Sequence, residues 1–352
     1  MAAEAYVVES SFDGSVLAAR NAGRRRAMAS ITKLMTVLVA RERTSLDETV
    51  VVSRAATRIG ESSLDLRPGQ RVTVRDLVVG ALVPSANDAA TALALHVGEG
   101  SIDRFVSLMN AKARALGMVG THYRNPHGLD EPGHVSTARD SAALLRVALR
   151  DPVIRRYARA STATLATGKL VESTDNLIGA VPGFLGGKTG YTANAGWSQV
   201  AAARRHGVTI TAAILGVESE SRRDRGLEAL LRFGLAAYRP SRVVDAGRVF
   251  ASVDVGWGRR PVALVAPRDV VRVAPTTRPL VERVVAPVVA ELPVRKGQPL
   301  GTVLVLDGRR VVARSPLVAE RGVPKPGALA RAGFVARRTV HHLAGLVRSP
   351  FP

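Results

Sequence analysis

Two serines and two lysines in this chain stand in words that could activate a hydroxyl. Ser30-Ile-Thr-Lys33 runs directly into an apolar, helix-forming stretch that begins at Leu34. Residues three apart on a helix share a face, so the Ser30 hydroxyl and the Lys33 amine can meet. A serine hydroxyl attacks a carbonyl at neutral pH only when a neighbouring base takes its proton, and a desolvated lysine can be that base. Arginine could not substitute, because it keeps its proton. The start of such a helix also offers unpaired backbone N–H groups and the positive end of the dipole, where a developing oxyanion is stabilised.

Composition adds weight to these lysines. Of the 50 basic residues only six are lysine (Lys33, Lys112, Lys169, Lys188, Lys296 and Lys325), yet lysine is kept at Ser-x-x-Lys and again at Lys188-Thr189-Gly190. On an edge strand the second word presents an ammonium, a hydroxyl and a closely approachable backbone, which together suit a substrate carboxylate. Between them Ser85-Ala-Asn87 lies at a junction between two apolar helices and presents a hydroxyl and an amide from a loop; taken alone it would pass for an N-cap.

The elements that must position these words follow from periodicity and turn residues. Tyr6–Glu9 and Val16–Arg20 read as a hairpin about Phe12-Asp13-Gly14-Ser15, and Thr44 to Thr73 as a polar, turn-rich stretch. Val72 to Val83 reads as a strand end and an apolar helix. Further helices are expected over 89–97, 102–116, 141–149 and 222–235, with strands near 199–204 and 208–215. The loop from Thr121 to His134 holds three histidines and an aspartate, but their spacing matches no helical ligand face and its Pro and Gly content favours a rigid irregular loop over a metal site.

From about Ser241 the pattern changes to short Val-rich strands, among them 262–266, 270–273, 303–306 and 311–312, with no polar constellation. The chain closes on Leu329, Ala332, Ala336, Val340, Leu343 and Val347 at helical spacing with Arg331, Arg337, Arg338, His341 and His342 elsewhere, a basic amphipathic pattern suited to an anionic membrane surface or to docking on the protein itself. The expected division is 1–238, 239–320 and 321–352. The N-terminal Met1-Ala-Ala-Glu-Ala-Tyr6 shows no leader pattern, and no run of eighteen apolar residues occurs.

A net charge of +21 calls for an anionic neighbour or reflects Arg-biased usage on a solvated surface. Aromatics are only 4%, too few for stacking platforms, which counts against nucleic acid as a partner. With no cysteine, thiol chemistry and disulfides are excluded.

The three words in this order, with their surroundings, resemble the low-molecular-mass penicillin-binding proteins, specifically the serine-type D-alanyl-D-alanine carboxypeptidases. The resemblance rests on Ala29–Thr36, Pro84–Ala89, Asn125–Leu129 with Ser136–Asp140, and Gly187–Thr192 with Ala195-Gly196, and it covers roughly residues 4–236. Less specifically, 293–301, Asp307-Gly308 and Ser315-Pro316-Leu317 are similar to the family's C-terminal β-domain. The resemblance implies an α+β fold, an antiparallel sheet flanked by helices of the β-lactamase and transpeptidase type, followed by a small all-β domain and an amphipathic tail. It implies Ser30 as the acylated nucleophile, Lys33 as its base, Ser85 as a proton relay and Asn87 as a binder of the substrate amide. Lys188 and Thr189, in the Lys188-Thr189-Gly190 word, would hold the terminal carboxylate, the N–H groups of Ser30 and Tyr191 would form the oxyanion hole, and Arg223 would be a further carboxylate ligand. No cofactor or metal is implied. The implied partners are peptidoglycan pentapeptide, β-lactams as covalent inhibitors and the outer face of the cytoplasmic membrane. A serine β-lactamase shares the nucleophile but needs a second, water-activating base, and no Glu-x-x-Leu-Asn word lies between the second and third motifs; a binding protein without turnover would have no need of the relay.

Overall fold

The computed structural model describes residues 3–328 and 331–333. The chain forms two compact units, one up to Ala237 and one from Tyr238. In the first, alternation builds a hairpin from β1 (Ala3–Ser10) and β2 (Val16–Arg20). A single 3₁₀ turn, Ala29–Ile31, then leads into α1 (Thr32–Arg41), which is buried all round except at its last residue. The polar stretch after it contains a two-stranded ribbon, β3 (Thr49–Val51) with β4 (Arg71–Thr73), where the sequence suggested turns for most of its length. Strands of three residues are too short to show a period.

Thr73 caps α2 (Val74–Leu82) by accepting from the Asp76 N–H at 3.1 Å. There follow α3 (Asn87–Val97), α4 (Ile102–Ala115) and α5 (Ala138–Ala148), the last capped by Thr137 on the Asp140 N–H at 3.0 Å. A short helix that the periodicity did not reveal, α6 (Pro152–Tyr157), starts with proline in its first turn under an Asp151 cap. A small ribbon of β5 (Thr162–Thr164) and β6 (Leu170–Glu172) precedes β7 (Phe184–Gly190), β8 (Trp197–Arg205), β9 (Val208–Val217) and α7 (Glu220–Ala236).

The sheet runs β2-β1-β9-β8-β7, antiparallel throughout, with β7 at one edge. Its inner strands read as nearly continuous apolar runs because both faces are covered. Ala5, Val7, Val200, Ala202, Ala213 and Leu215 face the core shared with α1 to α5. On the opposite face Val8 and Ile210 lie against Gly234 of α7. The result is the three-layer α+β arrangement expected from the sequence.

In the second unit β10 (Tyr238–Val244) pairs with β13, and a five-stranded antiparallel sheet runs β11-β12-β16-β15-β14, where β11 is Val249–Val253, β12 Val262–Val265, β13 Val270–Pro275, β14 Val281–Val285, β15 Pro299–Asp307 and β16 Arg310–Ala319. Its core is Val253, Val262, Leu264, Val303, Val305 and Leu317 with their neighbours. Every residue of β14 is exposed, so that strand carries no alternation to read. Apart from residues 331–333, the amphipathic segment from Leu329 to Val347 lies outside the described residues.

Candidate active site

Ser30 sits in the 3₁₀ turn at the head of α1, one turn before Lys33. The residue before it, Ala29, has φ +49°, in the left-handed region that costs a residue with a Cβ roughly 1–2 kcal/mol. Lys33 Nζ lies 2.7 Å from Ser30 Oγ, 2.6 Å from Asn87 Oδ1, 3.0 Å from the His127 carbonyl and 3.5 Å from Ser85 Oγ. A neutral amine has two hydrogens and one lone pair. The carbonyls of Asn87 and His127 can only accept, so they take both hydrogens, and the lone pair is left for the Ser30 hydroxyl.

The second word is placed by the break between α2 and α3. Ser85 has φ +65°, and Asn87 opens α3 with its side chain turned back to donate to the Gly60 carbonyl at 3.0 Å. The Asn87 N–H donates to the Ser62 carbonyl at 2.7 Å. Asp88 fastens the same segment, accepting from Ser63 Oγ at 2.7 Å and from the Leu64 N–H at 3.0 Å. The amide oxygen of Asn87 is thereby fixed toward Lys33.

From the edge strand β7, Lys188 Nζ donates to Ser85 Oγ at 2.9 Å and to the Thr189 carbonyl at 3.1 Å. Ser85 thus links the two lysines. Gly190 is glycine for a spatial reason: a Cβ there would stand 2.9 Å from the Ser30 nitrogen and 3.0 Å from the Ala29 Cβ. Gly128, at φ +96°, is pressed against the Ala29 carbonyl from the other side. Five sequence-derived residues (Ser30, Lys33, Ser85, Asn87 and Lys188) therefore form one hydrogen-bonded chain, with Gly190 against the nucleophile's backbone.

The remaining three are arranged differently. The Thr189 hydroxyl is 2.6 Å from that of Thr174. Tyr191 is exposed and its ring lies 4.5 Å from that of Trp197, centroid to centroid. Arg223, rather than its exposed neighbours Arg222 and Arg225, is the buried one. It hydrogen-bonds to no other member of the set: it pairs with Asp224 Oδ1 at 2.6 Å and Glu220 Oε1 at 3.2 Å, and its guanidinium stands 5.3 Å over the Trp197 ring.

Burial sets the protonation. Desolvation, reinforced by the Lys188 charge, holds Lys33 well below the ordinary lysine range. Desolvation lowers Lys188 to about 7, opposed by Asp175 and assisted by Arg223. Asp175 itself is pushed up to about 6 by burial; its Oδ1 accepts from Gln199 Nε2 at 2.7 Å, and its Oδ2 has no partner. Sequence reasoning missed Thr174, Asp175, Gln199 and Trp197. The one available signal was Gln199, a polar residue inside the otherwise apolar run Val200-Ala-Ala-Ala203 and its flank.

The histidine loop is held by its own hydrogen bonds. His134 Nδ1 accepts from the Arg124 N–H at 3.0 Å, so in the neutral ring Nε2 carries the proton and donates to Thr32 Oγ1 at 2.8 Å. His127 Nδ1 accepts from the Leu129 N–H at 3.2 Å. Burial lowers the two rings to about 4 and about 3 respectively, so both are neutral, and the loop's role at the site is to present the His127 carbonyl to Lys33.

A buried lysine amine within hydrogen-bond reach of a serine hydroxyl, set where a helical cluster meets the edge of an antiparallel sheet, is an arrangement suited to a serine hydrolase. The family model for D-alanyl-D-alanine carboxypeptidase, peptidase S11, matches residues 1–219, and the chain belongs to that family. It is 30% identical to the D-alanyl-D-alanine carboxypeptidase DacF of Bacillus subtilis over 89% of this chain and 84% of the relative. It is 31% identical to DacA of Escherichia coli over 97% and 89%. Among solved structures it is similar to DacD of Francisella tularensis (TM-score 0.67, 26% identity, 93% of this chain and 94% of that one). It is also similar to a D-alanyl-D-alanine carboxypeptidase of Mycobacterium tuberculosis (TM-score 0.62, 36% identity, 66% and 91%).

Proposed function

We propose that this protein removes the terminal D-alanine from peptidoglycan stem peptides through an acyl-enzyme on Ser30, and that β-lactams acylate the same oxygen. The observation that carries this reading is the Lys33 amine, fully buried, with both hydrogens committed and its lone pair aimed at Ser30 Oγ. Lys33 takes the Ser30 proton as Oγ adds to the carbonyl carbon of the penultimate D-alanine. The oxyanion forms beside the Ser30 N–H, in the space that Gly190 leaves open, with the Tyr191 N–H as its second donor. Collapse breaks the C–N bond, and the leaving amine receives its proton from Lys33 by way of Ser85. Water then attacks the ester, with the same base. Asn87 binds the substrate amide and orients Lys33. Lys188 and Thr189 hold the terminal carboxylate, which Arg223 attracts at longer range.

The test is intact mass after incubation with benzylpenicillin, with and without Ser30→Ala, followed by an assay of D-alanine release. One adduct per chain, absent in the variant, together with release of D-alanine, is expected; no adduct on the folded protein would sink the assignment.

The reading extends to location. Family membership and the proposed peptidoglycan substrate support a location outside the cytoplasm, and the basic amphipathic segment after Pro326 would hold it peripherally on the membrane. Among the described residues no helix is long and apolar enough to cross a bilayer. Deleting the chain after Pro326 should weaken binding to anionic vesicles and leave turnover of soluble substrate unchanged; unchanged vesicle binding would remove the tail as anchor.

A further inference from the structure

At the far end of the sheet from Ser30 lies a second concavity, about 1090 Å³ in volume, between the ends of β1, β8 and β9 and the helices α5 and α6. Six residue steps along β8 lead from Ser198, paired with Gly190, to Arg204 on this groove, which is roughly 20 Å of extended chain. No residue of the catalytic chain lines it.

Its electrostatics are one-sided. Arg139, Arg150, Arg155, Arg159 and Arg204 all line it, all are exposed, and none makes a side-chain hydrogen bond or ion pair among the described residues. A sixth, Arg146, is paired with Glu9 at 2.8 Å. The other carboxylate on the wall, Asp140, is occupied by the Gly120 N–H at 2.9 Å and the Thr121 hydroxyl at 2.7 Å. Unpaired exposed arginines occur elsewhere on this chain too, but here five of them converge on one hollow.

The floor supplies a second observation. Thr211, 1% exposed, lines the groove, and its buried Oγ1 has no hydrogen-bond partner among the described residues. Guanidinium forks match phosphate oxygens in pairs, and a phosphate, unlike a carboxylate, has oxygens left over for a hydroxyl beneath it. No aromatic side chain lines the groove, so nothing there would stack a base.

We propose that this groove is a binding site, separate from the catalytic one, for a ligand bearing several phosphate groups without bases, whether a soluble or polymeric phosphate or the head groups of a phospholipid surface. Such a site would hold the catalytic unit on a phosphate-rich layer independently of the C-terminal segment.

The test titrates the full chain with inorganic tripolyphosphate by calorimetry at low and moderate salt. Binding that weakens with salt is expected. Arg150→Glu/Arg155→Glu/Arg159→Glu should lower the affinity at least tenfold, and Thr211→Val about threefold, with penicillin acylation of both variants unchanged as proof of folding. Arg20→Glu/Arg43→Glu/Arg114→Glu makes the same charge change on exposed positions elsewhere and should stay within twofold. An equal loss in that control, equally tight binding of polyglutamate, or no binding of tripolyphosphate by the unaltered chain would each overturn the proposal. Vesicles of phosphatidylglycerol and of phosphatidylcholine separate the sources. Groove-dependent binding to the anionic vesicles alone assigns a lipid head group, and groove-dependent binding of tripolyphosphate without it assigns a soluble or polymeric phosphate.

Discussion

The two units of this chain bury very different things. The first encloses Lys33, Lys188 and Arg223, each at most 2% exposed. In the core of the second the described buried residues are valine, leucine and alanine, with Asp307 and Ser315 as the buried polar side chains. Asp307 is answered at once by the Arg278 fork, at 2.5 and 2.6 Å. Taking charges out of water costs several kcal/mol each unless they are fully compensated. The second unit avoids that cost, as a module for spacing or contact can. The first accepts it, and under the proposed mechanism desolvation is what makes the Lys33 amine a base at neutral pH.

The contrast can be tested from its strongest effect downward. Lys33→Arg should lower the rate of penicillin acylation by about 10³-fold or more, since arginine fills the space but does not give up its proton. Acylation close to the unaltered rate would mean that burial of Lys33 is structural. The pH dependence of kcat/KM on a carboxylate-terminated peptide comes next. Lys188 is a cation below about 7 and neutral above it, so attraction for the carboxylate should fall as pH rises through that point, by up to about tenfold per unit, and Lys188→Arg should remove that limb. Gly190→Ala should slow acylation by about tenfold and lower thermal stability, because its methyl would press on the Ser30 backbone nitrogen and the Ala29 Cβ. At the small end, Asp307→Asn should destabilise the second unit by about 1–3 kcal/mol in denaturant titration and leave acylation unchanged. A matching loss of acylation would show that the second unit does more than support itself.

Much of this was legible in the sequence, for identifiable reasons. Ser30, Lys33, Ser85, Asn87 and Lys188 could be named because each needs one particular functional group and stands in a short word beside it. The long helices followed from period and caps. What stayed hidden depends on contacts distant in sequence. Nothing local to Asp175 says that its carboxyl meets Gln199, and the His127 carbonyl, a ligand of Lys33, is invisible because every residue has one. The short ribbons, α6 and the fully exposed β14 lacked a period to detect. Arg223 was identified, but its ion pairs with Glu220 and Asp224 on α7 were not anticipated.

The left-handed backbone at Ala29 and Ser85 has a bearing on how this protein can be improved. Both residues sit where a side chain is unwelcome, one immediately before the proposed nucleophile and one at the proposed relay. At position 29 the methyl takes no part in the chemistry, so glycine there would relax the chain and leave every reacting atom in place. At position 85 the same exchange would relax the chain and delete the hydroxyl that links the two lysines. A search for robustness can therefore draw on the first position, whereas under the proposed mechanism the tension at the second is inseparable from turnover.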